Sequence, residues 1–279
     1  MTPSTDGWLQ RDGVGFHYAE WSRAGLAPPI LLLHGLGSNS RYWDRVSDHL
    51  RDRRLVALDL THETPGRAAA GELLRDIAFA VQQLELERPV VAGHSWGAAL
   101  ALDFVARNPT SAAGLVFIDG PVMGVAPIFT WEEVEARMQP ALHRFSTLDD
   151  AVANTKAELR EAWGEDLRPF VEAGLNQDGE WLRPRLTNEV RHRILHDLYM
   201  TDAEALWRNV SVPAAALIAR KSEVRISRST DSGMQRLGEI APWVEVKRFD
   251  TPHDIPLYAP VDVALEIERV ARQTEAVSA

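Results

Sequence analysis

The chain has 279 residues, 45% of them hydrophobic and 25% charged, with 30 Lys+Arg against 40 Asp+Glu and a formal net charge of −10. This is the composition of an ordinary globular protein, with room for one large α/β domain or for a core carrying a smaller inserted one, and it excludes a disordered or fibrous chain. The acidic balance argues against nucleic acid as a partner, because that affinity draws on Lys and Arg neutralising phosphates, and the absence of cysteine excludes disulfides, thiolate catalysis and cysteine-ligated metals.

The opening "MTPSTDGWLQRDGVG" has no basic region followed by an apolar stretch, and no apolar run is long enough to span a bilayer. The expectation is a cytoplasmic protein with no membrane partner. Residues 8–21 read as two short strands joined at Asp12-Gly13, a dipeptide that tolerates positive φ. "PPILLLHG" and "RRLVALDL" are too apolar to have a wet face and predict buried strands of a mainly parallel sheet, with an amphipathic helix over "NSRYWDRVSDHLRD" between them. A helix in "ELLRDIAFAVQQLEL", a strand in "RPVVAGH", a helix in "GAALALDFVARNP" and a strand in "AAGLVFIDG" continue the alternation. Strands alternating with helices of this length imply crossovers and a parallel sheet covered on both faces.

After Asp119-Gly120-Pro121 the pattern changes. Residues 122–209 offer several helical stretches, "TWEEVEARMQPALHRF", "LDDAVANTKAELREAWG" and "LTNEVRHRILHDLYMTDAEALWRNV", and no convincing strand. Strand character resumes in "VPAAALIAR" and "VEVKRFD", and "VDVALEIERVARQ" closes the chain as a helix. The reading is a core of residues 1–121 and 211–279 interrupted by an all-helical insertion over 122–210.

The pentapeptide Gly93-His94-Ser95-Trp96-Gly97 lies where a strand runs straight into a helix. Such a turn forces its central residue into a strained conformation, and the glycines remove side chains that would meet neighbouring backbone. The Ser95 hydroxyl is thereby presented at the carboxyl edge of the sheet, where the N-terminus of the next helix offers the backbone N–H of Trp96 to a developing negative charge. A serine hydroxyl needs a base, and the base needs an acid to orient it. Of nine histidines, His253 in "FDTPHDIPLYAP" is the candidate base, since it follows the last strand at the same sheet edge and "IPLY" tethers its loop. His94, at the strand end, reads as structural.

Taken together, His34-Gly35-Leu36-Gly37 after a strand, the "LVALDL" strand, the elbow from Gly93 to Gly97, the insertion after "LVFIDG" and the late His253 resemble the α/β-hydrolase fold superfamily over nearly the whole chain. The resemblance implies a central sheet flanked by helices, a helical cap over the serine, and a second oxyanion donor from the "HGLG" loop, the N–H of Leu36. It also implies an acid at one of two positions, Asp119 after the strand that follows the elbow helix, or Glu223 after "VPAAALIAR". The chain departs from the family pattern at "DLTHETPG", where many members carry Gly-His-Gly, and at "ARKSEVR", where a Gly-x-x-Asp loop is usual. "GHSWGAALALDFVARNPTSAAGLVFIDG" also resembles a bacterial subgroup in which an Asp-Gly pair ends this strand and the later loop has no clear acid, which favours Asp119. The bland alternatives are an aspartate that caps the insertion and a surface glutamate in an ion pair.

Phe129, Trp131, Trp163, Trp181 and Trp207 lie in the insertion, and Trp43 and Trp96 border the catalytic loops, which favours a small or medium apolar substrate. Only one or two of the cap tryptophans are expected at the pocket. Arg41 is a candidate for a substrate carboxylate, against its default as a helix-surface arginine. His192 and His196 have the spacing of a zinc pair but lack a third ligand, so no metal is expected, and His62-Glu63 reads as a solvated or rim pair. The expectation is a cofactor-free serine hydrolase acting on an ester or similar acyl bond of a small molecule. Lactone opening, carbon–carbon hydrolysis and perhydrolysis use similar machinery, and a low-turnover receptor is the competitor from another class. Oligomeric state is not encoded in any motif.

Overall fold

A computed structural model describes residues 5–21, 25–60, 65–138 and 143–278. Strands β1 (Thr5–Arg11) and β2 (Val14–Trp21) form an antiparallel hairpin whose turn residues Asp12 and Gly13 take φ of 54° and 78°. β3 (Leu26–Leu33), β4 (Arg53–Leu58), β5 (Val90–His94) and β6 (Gly114–Ile118) precede the insertion. The insertion carries the two short strands β7 (Leu175–Asp178) and β8 (Trp181–Pro184), and β9 (Ala214–Ala219) and β10 (Glu245–Phe249) follow it. Eight strands form one sheet in the order β1-β2-β4-β3-β5-β6-β9-β10, parallel from β4 to β10.

Side chains alternate across a strand, so each buried strand feeds two cores. Leu31, Leu33, Val56, Leu58, Val91, Leu115 and Phe117 face one side of the sheet, while Ile30, Leu32, Leu55, Ala57, Val90, Val116 and Ile118 face the other. The main helices in chain order are α1 (Asp44–Ser47), α2 (Ala70–Gln83), α3 (Trp96–Arg107), α4 (Trp131–Met138), α5 (Leu148–Leu159), α6 (Arg168–Ala173), α7 (Asn188–Tyr199), α8 (Ala203–Asn209), α9 (Val224–Ile240), α10 (Ile255–Tyr258) and α11 (Pro260–Ser278). Apolar residues of α2, α3, α8 and α9 fill the first core, and those of α1, α10 and α11 fill the second.

The structure adds α9, which the sequence reading lacked, and alters three stretches that it covered. The insertion is mainly helical but not all-helical: β7 and β8 pair antiparallel around Asp178-Gly179, with Gly179 at φ 63°. Four-residue strands with no fully buried position leave too faint an alternation to be read. The helix expected over "NSRYWDRVSDHLRD" is one turn of 3-10 helix (Ser40–Trp43) followed by α1 alone, because the Ser47 hydroxyl donates to the Asp44 carbonyl and competes with a further turn. The long stretch after Leu186 is two helices, α7 capped by Thr187 and α8 by Asp202, whose carboxylate accepts the Ala205 N–H at 3.0 Å. Residues 139–142, within another expected helix, lie outside the described residues.

Where β5 turns into α3, backbone meets backbone. A Cβ at Gly93 would fall on the Gly97 carbonyl, and one at Gly97 on the carbonyls of Leu33 and His34. None of these is a flexible side-chain end. Gly97→Ala is therefore expected to lower stability by about 3 kcal/mol or more in urea unfolding, whereas Gly238→Ala in α9, where a Cβ meets open space, is expected to be neutral or to stabilise by about 0.5–1 kcal/mol.

Candidate active site

From β3 the chain moves outward to β4 and then crosses back to β5 on the other side of β3. The loops leaving the carboxyl ends of β3 and β5 consequently diverge, and such a switch point opens a crevice at the edge of a parallel sheet. Gly35 to Asn39 leave β3 there, and Ser95 leaves β5.

Ser95 has φ 57° and ψ −118°, a conformation that a residue with a Cβ holds only when its surroundings enforce it. They do so with hydrogen bonds on both sides: the Ser95 N–H donates to the Ile118 carbonyl at 2.8 Å, and its carbonyl accepts the Ala98 N–H at 3.1 Å. Trp96 begins α3, so its N–H has no acceptor within the helix and sits at the positive end of the helix dipole. Across the crevice, His34 Nδ1–H donates to the Gly35 carbonyl at 2.7 Å while its Nε2 accepts the Leu60 N–H at 3.0 Å. Fixing that carbonyl fixes the peptide that follows, whose Leu36 N–H points the opposite way. Gly35 lies close against the elbow, since a Cβ there would be 3.3 Å from Ser95 Cβ.

Asp119 ends β6 with φ 46° and donates its N–H to the Leu217 carbonyl at 2.8 Å. Its Oδ1 accepts the Ala219 N–H at 2.8 Å, which anchors the carboxylate to the end of β9, and its Oδ2 accepts His253 Nδ1–H at 2.6 Å. A carboxylate only accepts, so the imidazole proton lies on Nδ1 and the Nε2 lone pair faces the Ser95 hydroxyl, 2.9 Å away. Burial opposes protonation of His253, but the hydrogen bond and charge of Asp119, helped by the charge of Asp254, outweigh it and hold the pKa above the ordinary imidazole value. The outer side of the ring is half-exposed.

Glu223, the alternative acid, is placed elsewhere. It precedes α9, half-exposed, and its two oxygens accept Arg137 Nη1 at 2.8 and 3.2 Å. Arg41 is taken by Asp44 at 3.0 Å. Trp43 and Trp207 are wholly buried in the two cores, and Trp207 donates to the Val122 carbonyl at 2.8 Å. Trp181 is exposed on the β7–β8 hairpin, and the Trp163 indole N–H faces Glu165 at 3.3 Å. His192 pairs with Glu135 at 2.9 Å, and both His192 and His196 stand edge-on to Trp131. Among the described residues no group of three or more side chains could hold a metal ion. His62 and Glu63 lie outside the described residues. The Leu36 side chain packs against the cluster of Val125, Phe129, Val134 and Leu195, together with the partly buried Ile128 and Leu198 and with Ile226 of α9, so the insertion brings apolar surface to the loop after β3.

Several residues to which the sequence gave no catalytic part, among them His94, read as structural, stand around this constellation. Asp59 accepts the Ser40 N–H at 2.5 Å, His17 Nδ1–H at 3.1 Å and Arg185 Nη1 at 3.2 Å, joining the β3 loop, β2 and the insertion. Burial raises its pKa, but the His17 hydrogen bond and nearby positive charge prevail and hold it below the carboxylate range. His94 is buried; burial and the neighbouring His253 push its pKa down to about 3, so it is neutral. Its Nε2 lies 3.1 Å from the His253 carbonyl, and the buried Tyr42 donates its hydroxyl to Asp254 Oδ1 at 3.0 Å. The only local signal was a polar residue closing an apolar run, at Asp59 and at His94; Tyr42 and Asp254 had none, because their partners are distant in sequence.

Residues 30–266 match the alpha/beta hydrolase family. Lipase LipV of Mycobacterium tuberculosis (strain ATCC 25618 / H37Rv) is 25% identical over 262 residues, covering 91% of this chain and 97% of that protein. Among solved structures, a thioesterase domain from the curacin biosynthetic pathway superposes with a TM-score of 0.80 at 17% identity, over 95% of this chain and 99% of that one. E-2-(acetamidomethylene)succinate hydrolase superposes with a TM-score of 0.79 at 19% identity, over 95% and 98%. The family match spans both halves of the core and the insertion between them, and the sheet has the order and the switch-point crevice that go with it. The chain belongs to the alpha/beta hydrolase family.

Proposed function

We propose that this protein is a serine hydrolase that cleaves an ester or related acyl bond of a small, largely apolar molecule through an acyl-enzyme, with Ser95 as nucleophile, His253 as general base and Asp119 as the acid. The observation that carries this reading is the unbroken hydrogen-bond chain from Asp119 Oδ2 through His253 to Ser95 Oγ, at 2.6 and 2.9 Å, ending on a residue held at positive φ. Similarity to a protein named a lipase over nearly the full length points the same way. The apolar surface around Leu36 suits the greasy part of such a substrate.

In this mechanism Ser95 Oγ attacks the carbonyl carbon as its proton passes to His253 Nε2. The N–H groups of Trp96 and Leu36 stabilise the oxyanion, and Asp119 stabilises the imidazolium that forms. His253 then protonates the leaving alkoxide as the carbon–oxygen bond breaks, which leaves the acyl group on Ser95. Water, deprotonated by His253, attacks this ester; the acid departs and the proton returns to Ser95. No cofactor takes part.

Turnover of short and medium p-nitrophenyl esters tests the assignment. Ser95→Ala is expected to abolish it, Asp119→Asn to lower kcat by about 10³–10⁴-fold, and Glu223→Gln to leave it within about twofold. Loss of activity in Glu223→Gln with Asp119→Asn intact would reverse the choice of acid.

The raised pKa of His253 gives the reading a pH dependence. The reaction needs the neutral imidazole, so kcat/KM is expected to fall on the acid side with a midpoint above the ordinary histidine value. Folding favours the protonated ring: its contribution to stability is complete below the unfolded pKa and is lost as pH rises through the folded one. Activity therefore grows over the range in which this stabilisation fades. In the residual activity of Asp119→Asn, the acid limb of a pH–rate profile should move to lower pH.

A further inference from the structure

His253 stands on a short loop between β10 and α10 with its ring half-exposed, yet its Nε2 must stay within hydrogen-bond reach of Ser95. Backbone bonds hold the flanks of that loop: the Lys221 N–H donates to the Thr251 carbonyl at 3.1 Å, and the Ile255 N–H donates to the His253 carbonyl at 2.9 Å. Two buried side chains that take no part in the proton path hold its middle.

The protons there can be assigned from partners alone. The Tyr42 hydroxyl gives its hydrogen to the Asp254 carboxylate, so toward His94 Nε2, 3.5 Å away, it presents only a lone pair. The His253 carbonyl is likewise an acceptor, so His94 carries its proton on Nε2 and donates it to that carbonyl at 3.1 Å. His94 Nδ1 is then a bare lone pair, buried against Gly35 with no hydrogen-bond partner among the described residues. The Tyr42 and His94 rings stack at 5.0 Å, and the His94 and His253 ring centroids are 4.8 Å apart.

We infer that His94 and Tyr42 are positioning residues for the general base, a reading that rests on the serine-hydrolase assignment above. His94 immediately precedes Ser95, so one backbone turn sets both the hydroxyl and the N–H that grips the His253 carbonyl. The elbow thereby measures out the spacing between nucleophile and base. Tyr42 supplies the second point of the clamp through Asp254, the residue after the base. A neutral His94 also leaves the imidazolium formed on His253 unopposed by a second positive charge, with Asp119, Asp254 and Tyr42 as the other titratable groups around it. Losing an N–H while retaining the buried side chain should displace the base by a fraction of an ångström to an ångström, a change to which catalysis is steeply sensitive.

The test uses the full-length protein as wild type, His94→Leu, His94→Gln and Tyr42→Phe, with folding checked by circular dichroism. Two rates are measured: phosphonylation of Ser95 by a fluorophosphonate, which needs the base but no known substrate, and hydrolysis of a short p-nitrophenyl ester resolved into kcat and KM. His94→Leu is expected to lower kcat and the phosphonylation rate by about tenfold to a hundredfold with KM within about twofold, and His94→Gln, whose amide restores a donor, to recover most of the loss. Tyr42→Phe, which removes one oxygen, is expected to lower both rates several-fold. Folded His94→Leu at wild-type rates, or Leu and Gln variants equally impaired, would overturn the positioning role. If His94→Leu does not fold, a wild-type rate in Tyr42→Phe overturns the clamp instead. A wild type that is neither phosphonylated at Ser95 nor active on esters overturns the serine-hydrolase reading first, and this inference with it.

Discussion

Two stretches of backbone approach each other at the carboxyl edge of the sheet more closely than any side chain would allow, and the candidate site is arranged around that approach. Gly97 presses on the carbonyls of Leu33 and His34, and Gly93 on the carbonyl of Gly97. With β5, α3 and the end of β3 locked together, Ser95 has no relaxed conformation available and stays at positive φ. The same contact brings the Gly35–Leu36 peptide beside the serine. The Ser95 hydroxyl and the Leu36 and Trp96 N–H groups are thus parts of one rigid unit rather than loops that must find each other.

The second constraint is electrostatic. Asp119 is held by a backbone N–H from β9 as well as by His253, so the carboxylate is fixed in its orientation toward the imidazole. Its proximity keeps the proton on Nδ1 of His253 and leaves Nε2 open. Around this pair the buried groups are arranged to carry little competing charge. His94 is neutral, and the hydroxyl of Tyr42 is spent on Asp254. Each of these bonds joins residues from different ends of the chain, which makes the site a product of sheet order.

The insertion is tied to this edge at several points. Arg185 at the end of the β7–β8 hairpin reaches Asp59, Asn39 donates to the Phe170 carbonyl at 2.9 Å, and Arg45 spans from the Leu257 carbonyl beside the His253 loop to Ala162 and Asp166. The outer pairs are Glu133 with Arg225 and Arg137 with Glu223, and the Arg137 and Arg225 guanidinium groups lie 5.0 and 4.8 Å from the centre of the Phe129 ring. Exposed ion pairs contribute little to stability. The buried Asp59 and the backbone carbonyls gripped by Arg45 are the firmer attachments, and they act on the loops that carry the site.

The sequence by itself determined the elements whose signal is local. Short apolar runs such as "ILLL" and "GLVFI", bounded by turn residues and alternating with helical stretches, marked buried parallel strands, and Gly-His-Ser-Trp-Gly between a strand and a helix required a strained serine. α9 went unread although its apolar residues keep a helical period, because it is polar overall with only Gly233, Met234 and Leu237 buried, and β7 and β8 because neither has a buried face. The position of the carboxylate beside His253 could not be decided by spacing, since Asp119 and Glu223 both follow strands. Only the packing of β6 directly beside β9 brings Asp119 to the histidine, while Arg137 from α4 draws Glu223 away. Tyr42, Asp254 and His94 belong to the same category. Hydrophobic period and turn chemistry act between neighbours and are written along the chain, whereas a hydrogen bond between residues 212 apart exists only after the sheet has fixed which strand ends are adjacent.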